Sequence, residues 1–344
     1  MSHLSNEIHE QPEVAARLLR EQSARAGEIA EAIRQFKPAF VWIAARGTSD
    51  NAARYAQYLW GTHARLAVGL ATPSVHTLYN SSPDLSRALV LGISQSGQSE
   101  DVRRVLADAR EQGALTVSIT NDSASPLAQI AAYHLPLLAG KEHSIAATKT
   151  YTAELVAVAL IGAALIGETA FDQALHSVPE IMSETLAANA DSAWVERYRY
   201  MERYAVIGRG YNYCTAIEIS LKIKELCAIP GEEYSEADFR HGPIAVVKSG
   251  FPVILVAPQG NTFAKQYDLL ERLHGTGAEC LVVSNAPETG RLARRVLPIP
   301  AHVPEWLSPL VAVLPGQMFA MALAGARGLN IDQPVGLTKV TVTE

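Results

Sequence analysis

Ala88-Leu89-Val90-Leu91-Gly92-Ile93-Ser94-Gln95-Ser96-Gly97-Gln98-Ser99 runs from an apolar strand signal into a loop of hydroxyl residues and glycines, and a helical pattern opens at Glu100. A short apolar run ended by turn residues and followed by helical periodicity reads as a βα unit with a buried strand. The loop brings converging O–H and N–H donors to a helix N-terminus, where the backbone dipoles favour an anion. Such a loop is a phosphate cradle without a Walker lysine. An ordinary βα turn with a serine cap fits the same residues.

The unit occurs twice. Val41-Trp42-Ile43-Ala44-Ala45-Arg46-Gly47-Thr48 returns as Tyr204-Ala205-Val206-Ile207-Gly208-Arg209-Gly210-Tyr211. The strand and loop from Leu89 to Ser96 return as Ile254 to Gly260, and Thr116-Val117-Ser118-Ile119-Thr120-Asn121 returns as Cys280-Leu281-Val282-Val283-Ser284-Asn285, at nearly the same offset. Three strand-and-turn matches in one register indicate two copies of a βαβαβ half of a doubly wound parallel sheet. Where the first copy has SQSGQS, the second has Pro258-Gln259-Gly260-Asn261-Thr262, poorer in hydroxyl donors. Phosphate is therefore expected at the first copy alone.

Composition bounds the function. The chain has 344 residues, 48% of them hydrophobic and 19% charged, a globular balance for two domains of ordinary size. A net charge of −6 argues against nucleic acid, which needs a basic face. Cys214, Cys227 and Cys280 show no CxxC spacing, so neither a disulfide framework nor a zinc site is indicated, and a reducing cytoplasm is the expected compartment. The N-terminal residues lack the basic and apolar regions of a signal peptide. The apolar run Leu155 to Ile166, flanked by Glu154 and Glu168, is short for a bilayer and reads as a buried core helix.

The expected organisation is a helical arm over 1–36, a first α/β domain over 37–170, a helical connector over 171–200, a second domain over 201–330, and an irregular tail over 331–344. The arm's helical periodicity runs from Pro12 to Phe36 through Val14, Leu18, Ile29 and Ile33. The densest titratable cluster is Lys222-Ile223-Lys224-Glu225 with the loop from Gly231 to Pro243, which carries Glu232 and His241. Lys222 and Glu225 share a helix face. Such a pair is ordinarily solvated, but the surrounding Ile219, Leu221, Ile223, Leu226 and Cys227 suggest a buried setting, in which a carboxylate beside an ammonium can serve as a base.

These residues carry a resemblance. Ala45-Arg46-Gly47-Thr48-Ser49, then Ser94 to Ser99, Lys141-Glu142, Ala147-Thr148-Lys149, Gly208-Arg209-Gly210, Leu221 to Glu225, His241-Gly242-Pro243, Asp332-Gln333-Pro334 and a tail lysine, in that order, resemble the sugar isomerase (SIS) family. Within it the chain is similar to the isomerase half of glucosamine-6-phosphate synthase and to stand-alone, isomerase-like glucosamine-6-phosphate deaminases. The resemblance implies two tandem SIS domains, each a five-stranded parallel sheet in a three-layer αβα arrangement, and a homodimer with shared active sites. It implies that Ser94, Gln95, Ser96 and Ser99 hold the sugar's phosphate, with Thr48 and Ser49 completing that site. It casts Glu225 as the base between C1 and C2, Lys222 as its support, Glu232 as a further polar match, His241 as the ring-opening acid/base reached from a partner subunit, and Lys339 as the imine-forming lysine.

No metal or organic cofactor is implied, nor a membrane or nucleic-acid partner. Residue 2 is Ser, where the synthase has its glutaminase cysteine, and Arg46 and Ala147 stand where the synthase has a small residue and a sugar-contacting serine. The expected activity is deamination of glucosamine 6-phosphate to fructose 6-phosphate and ammonia. Deglycases of fructosamine phosphates and galactosamine-phosphate isomerases share the same motifs. A sugar-phosphate sensor is a non-enzymatic alternative, disfavoured by the joint presence of Glu225, His241 and Lys339.

Overall fold

A computed structural model describes every residue except Met1, Val335 and 340–344. The chain divides into two compact units. One comprises 13–142, 149–177 and 338–344, and the other 1–12, 143–148 and 178–337.

In the first of these, β1 (Phe40–Ala44), β2 (Val68–Leu70), β3 (Ala88–Ile93), β4 (Leu115–Thr120) and β5 (Tyr133–Pro136) form a sheet of order β2-β1-β3-β4-β5. Every pairing is parallel. All six residues of β3 are buried, as a central parallel strand covered on both faces requires. The covering helices are α1 (His3–Phe36, from residue 13 onward), α2 (Thr48–His63), α3 (Pro73–Thr77), α4 (Glu100–Glu111), α5 (Pro126–Ile130), α6 (Lys149–Ile166) and α7 (Thr169–His176). Val90, Val102, Val105, Leu106 and Leu127 sit in one of its cores.

The second sheet repeats the plan. In it β6 (Tyr204–Gly208), β7 (Gly231–Ser235), β8 (Pro252–Val256), β9 (Glu279–Ser284) and β10 (Arg295–Pro298) are ordered β10-β9-β8-β6-β7, again all parallel. Its helices are α8 (Val178–Ala188), α9 (Tyr213–Cys227), α10 (Glu236–Arg240), α11 (Phe263–Gly275) and α12 (Ser308–Ala326). The chain is thus two parallel five-stranded α/β units. In each sheet the strand order reverses beside the unit's first strand, so the loops after β1 and β3 flank one switch-point crevice.

Two local expectations change. The segment after Gly231 is not loop throughout: Gly231–Ser235 pairs in parallel with β6, Ala205 opposite Glu232, and α10 follows. Its sequence, GEEYS, has no apolar run because β7 is an edge strand, so periodicity does not reveal it. Helix α1 begins at His3, not Pro12, because Leu4 and Ile8 are fully buried one turn apart and extend the apolar face back past the proline. Helix α6 and Glu305–Ala326 are long and apolar enough to cross a membrane by length and composition, yet 83% of the 18-residue apolar window in each is buried inside the protein, as in core helices.

Candidate active site

The serine loop follows fully buried β3 and delivers the chain to the N-terminus of α4. Ser99 occupies the N-cap position, and its side chain makes no capping bond, so its hydroxyl is not spent on the helix. The loop is tied down by its own backbone: Ser94 N–H donates to Ile119 (3.1 Å), Asn121 N–H to Gln95 (3.0 Å) and Leu127 N–H to Gly97 (3.3 Å). Ser94 Oγ accepts from Gly97 N–H at 3.2 Å, and Ser96 Oγ accepts from Gln98 N–H at 3.3 Å. Gly97 is required twice over. Its φ is +64°, and a Cβ there would run into the Ser125 side chain.

The loop after β1 opens on the same edge of the sheet, since Ala44 pairs with Gly92. Thr48 starts α2 and is partly exposed. Ser49 is buried, and its hydroxyl donates to the Glu154 carboxylate on α6 at 2.8 Å. Arg46 is held by Asp101 in the first turn of α4, its Nε 2.5 Å from Oδ2.

In the same unit Lys339 meets Glu142, a residue of the Lys141-Glu142 motif to which the sequence assigned no role. The lysine's Nζ lies 2.6 Å from Oε2 of Glu142, whose side chain has no exposed area. That carboxylate also accepts from Thr150 N–H (3.1 Å) and Thr150 Oγ1 (2.8 Å) in the first turn of α6. Glu142 is thereby fixed as an acceptor, and the tail lysine is delivered to it.

The other unit holds the titratable cluster on α9. Lys222 has no exposed side-chain area, and its Nζ lies 2.5 Å from Glu225 Oε2 and 3.3 Å from Glu218 Oε1. Burial alone would push the ammonium pKa down, yet the two carboxylates outweigh it and raise it above the ordinary lysine value. Glu218 is fully enclosed, whereas Glu225 keeps 23% of its side chain exposed. The arrangement is a locked ammonium with one carboxylate behind it and one at a surface a ligand can reach. Glu218 precedes Lys222 by one helical turn, so spacing could have found it.

His241 follows α10 and is exposed. Its loop is anchored by Glu236, a buried carboxylate gripped by Arg209 from the GRG turn and by Arg240. Arg240 also pairs with Asp268 at 2.7 Å. Glu232 is exposed on β7 and accepts the Tyr234 hydroxyl, which pushes that phenol up to about 12.

The second copy's counterpart of the serine loop is filled from within. Glu305 accepts from Asn261 N–H (2.9 Å), Asn261 Nδ2 (2.8 Å) and Thr262 N–H (3.4 Å). In the second copy a carboxylate of the protein itself therefore occupies the loop's donors. Among the described residues no group of three or more His, Cys, Asp or Glu is placed to hold a metal ion.

A match to the SIS domain runs over residues 39–164 and 199–327, covering both sheets. The chain belongs to the SIS domain family. This SIS protein is 31% identical, over 99% of its length, to a glutamine–fructose-6-phosphate aminotransferase of Thermus thermophilus, and spans 59% of that relative. Among solved structures, a protein described as a phosphosugar isomerase from Silicibacter pomeroyi superposes with a TM-score of 0.88 at 32% identity, covering 96% of this chain and 100% of that one. A glucosamine-6-phosphate deaminase of Thermotoga maritima shares the fold, with a TM-score of 0.78 at 21% identity over 99% of this chain and 100% of that one.

Proposed function

We propose that this SIS protein deaminates glucosamine 6-phosphate, coupling aldose–ketose isomerisation to release of ammonia. The observation that carries the reading is the α9 cluster, a fully buried Lys222 fixing a partly exposed Glu225. A charge that costly to bury serves a purpose beyond stability when it aims a carboxylate at a ligand.

The chemistry follows from the residue types. The Ser94–Ser99 loop would grip the phosphate, supplying binding energy remote from the reacting carbons. His241, suited by type to proton transfer near neutral pH, would open the ring, reached from a second copy of the chain in a homodimer with shared active sites. Glu225 would take the C2 proton of the open aldose and return a proton to C1, through an enolamine. The resulting C2 imine adds water, expels ammonia and leaves the ketone of fructose 6-phosphate. Lys222 would stabilise charge beside Glu225, and Lys339 would offer an imine route to the same ketose. No metal or organic cofactor takes part in these steps. The proposed compartment is the cytoplasm, in keeping with three buried free cysteines.

The Thermotoga deaminase shares the fold, and the choice of deamination within phosphosugar chemistry rests on Arg46, which stands where the synthase has a small residue. The test is product analysis: purified protein with glucosamine 6-phosphate should yield ammonia and fructose 6-phosphate in equal amounts. No release from it, together with turnover of a fructosamine phosphate or of galactosamine 6-phosphate, would overturn the assignment of the amine.

A further inference from the structure

Arg46 fills the variable position of the Ala45–Ser49 motif, and nothing in the proposed chemistry uses it. Its backbone lies in the loop after β1, facing the switch-point crevice that the serine loop also borders. Its side chain is 49% exposed, but it is not loose. Nε is held at 2.5 Å by Asp101 Oδ2, on a side chain only 1% exposed, and Asp101 Oδ1 is itself fixed by Val102 N–H at 2.8 Å. Among the described residues this is the one hydrogen bond the guanidinium makes, so both terminal amino groups remain unspent.

Asp101 sits in the first turn of α4, the helix whose N-terminus the serine loop opens. A buried carboxylate there would repel a dianion bound at the loop unless a cation neutralises it. Arg46 does that with Nε alone. The rest of its planar fork has the geometry that suits phosphate oxygens.

We propose that Arg46 is a phosphate-gripping residue, aimed by Asp101 so that its two terminal amino groups close over the dianion held by the Ser94–Ser99 loop. This deepens the proposed function and rests on the reading of that loop as the phosphate cradle. The ligand class is a sugar phosphate in its dianionic form, and inorganic phosphate is its smallest probe. With its charge balanced by Asp101, the arginine adds two charge-assisted N–H donors to a cradle otherwise made of neutral ones.

The test is the affinity for inorganic phosphate, measured by calorimetry at neutral pH and low salt on the full chain, for wild type, Arg46→Ala, and the double variant Arg46→Ala/Asp101→Asn. Removing both partners avoids leaving a buried charge alone, which keeps the double variant foldable if the single one is not. If Arg46 grips phosphate, both variants bind it about tenfold to a hundredfold more weakly. With glucosamine 6-phosphate, the same variants should raise KM more than they lower kcat. Recovery of wild-type phosphate affinity in the double variant would show that Arg46 only neutralises Asp101, and would overturn the proposal. So would a wild-type protein that binds no phosphate. Phosphate binding that depends on Arg46 in a protein that releases no ammonia would uphold this inference and sink the deaminase reading alone.

Discussion

Lys222 Nζ lies 2.5 Å from Glu225 and 3.3 Å from Glu218, and neither Lys222 nor Glu218 has exposed side-chain area. A buried ammonium between two carboxylates makes its own removal costly. Lys222→Met should destabilise the protein by about 3–5 kcal/mol in urea unfolding, because it leaves uncompensated negative charge behind. The pH dependence has a definite sign. The folded pKa of Lys222 is raised above its unfolded value, so its contribution is complete below about pH 10.4 and is lost as pH climbs through the folded value. A variant as stable as wild type would mean the cluster is not a locked ion triad.

Glu142 fixes Lys339 through a 2.6 Å ion pair while anchoring α6 through Thr150. Glu142→Gln retains an oxygen for Thr150 and loses the charge that holds the lysine. Stability should change by no more than about 1 kcal/mol, and kcat/KM should fall on the order of tenfold to a hundredfold as the tail loses its anchor. Unchanged steady-state kinetics would remove Lys339 from the chemistry.

Gly97→Ala combines a left-handed φ of +64° with a Cβ driven into Ser125. The expected cost is about 1–3 kcal/mol, with phosphate affinity lost because the loop must shift. Phosphate titration of the folded fraction checks it.

His134 is half-buried on β5, with Nδ1 3.0 Å from Ser118 Oγ. Burial lowers its pKa below 6.5, with a further push from Arg25. The unfolded chain then binds the proton more readily than the fold does. Its contribution to stability is intact above about pH 6.5 and falls as pH drops through the folded value. His134→Gln should flatten the decline in urea midpoint between pH 7 and 5; an identical slope would assign that decline to other groups.

The strands of both sheet centres were legible because β1, β3, β6, β8 and β9 are apolar runs ended by turn residues, β4 alternates apolar and hydroxyl residues, and the duplication set their register. Edge strand β7 was not, since GEEYS has no apolar face to bury. The site divides in the same way. Lys222 and Glu225 could be paired by helical spacing. Glu142, Glu154 and Asp101 could not, because their partners lie 197, 105 and 55 residues away. Glu154, a lone carboxylate in the apolar stretch of α6, was the one such residue with a visible signal: a charge in a core helix needs a partner. Nor does the sequence show that Ser49 turns its hydroxyl to that carboxylate, or that Glu305 occupies the second copy's loop.

The most direct test of the central claim is turnover of glucosamine 6-phosphate by Glu225→Gln, alongside its binding affinity by calorimetry. The account predicts that ammonia release falls by about 10²–10⁴-fold while the sugar phosphate still binds within a few-fold of wild type. A variant that releases ammonia at close to the wild-type rate would contradict it, because Glu225 would then not be the base that moves the C2 proton.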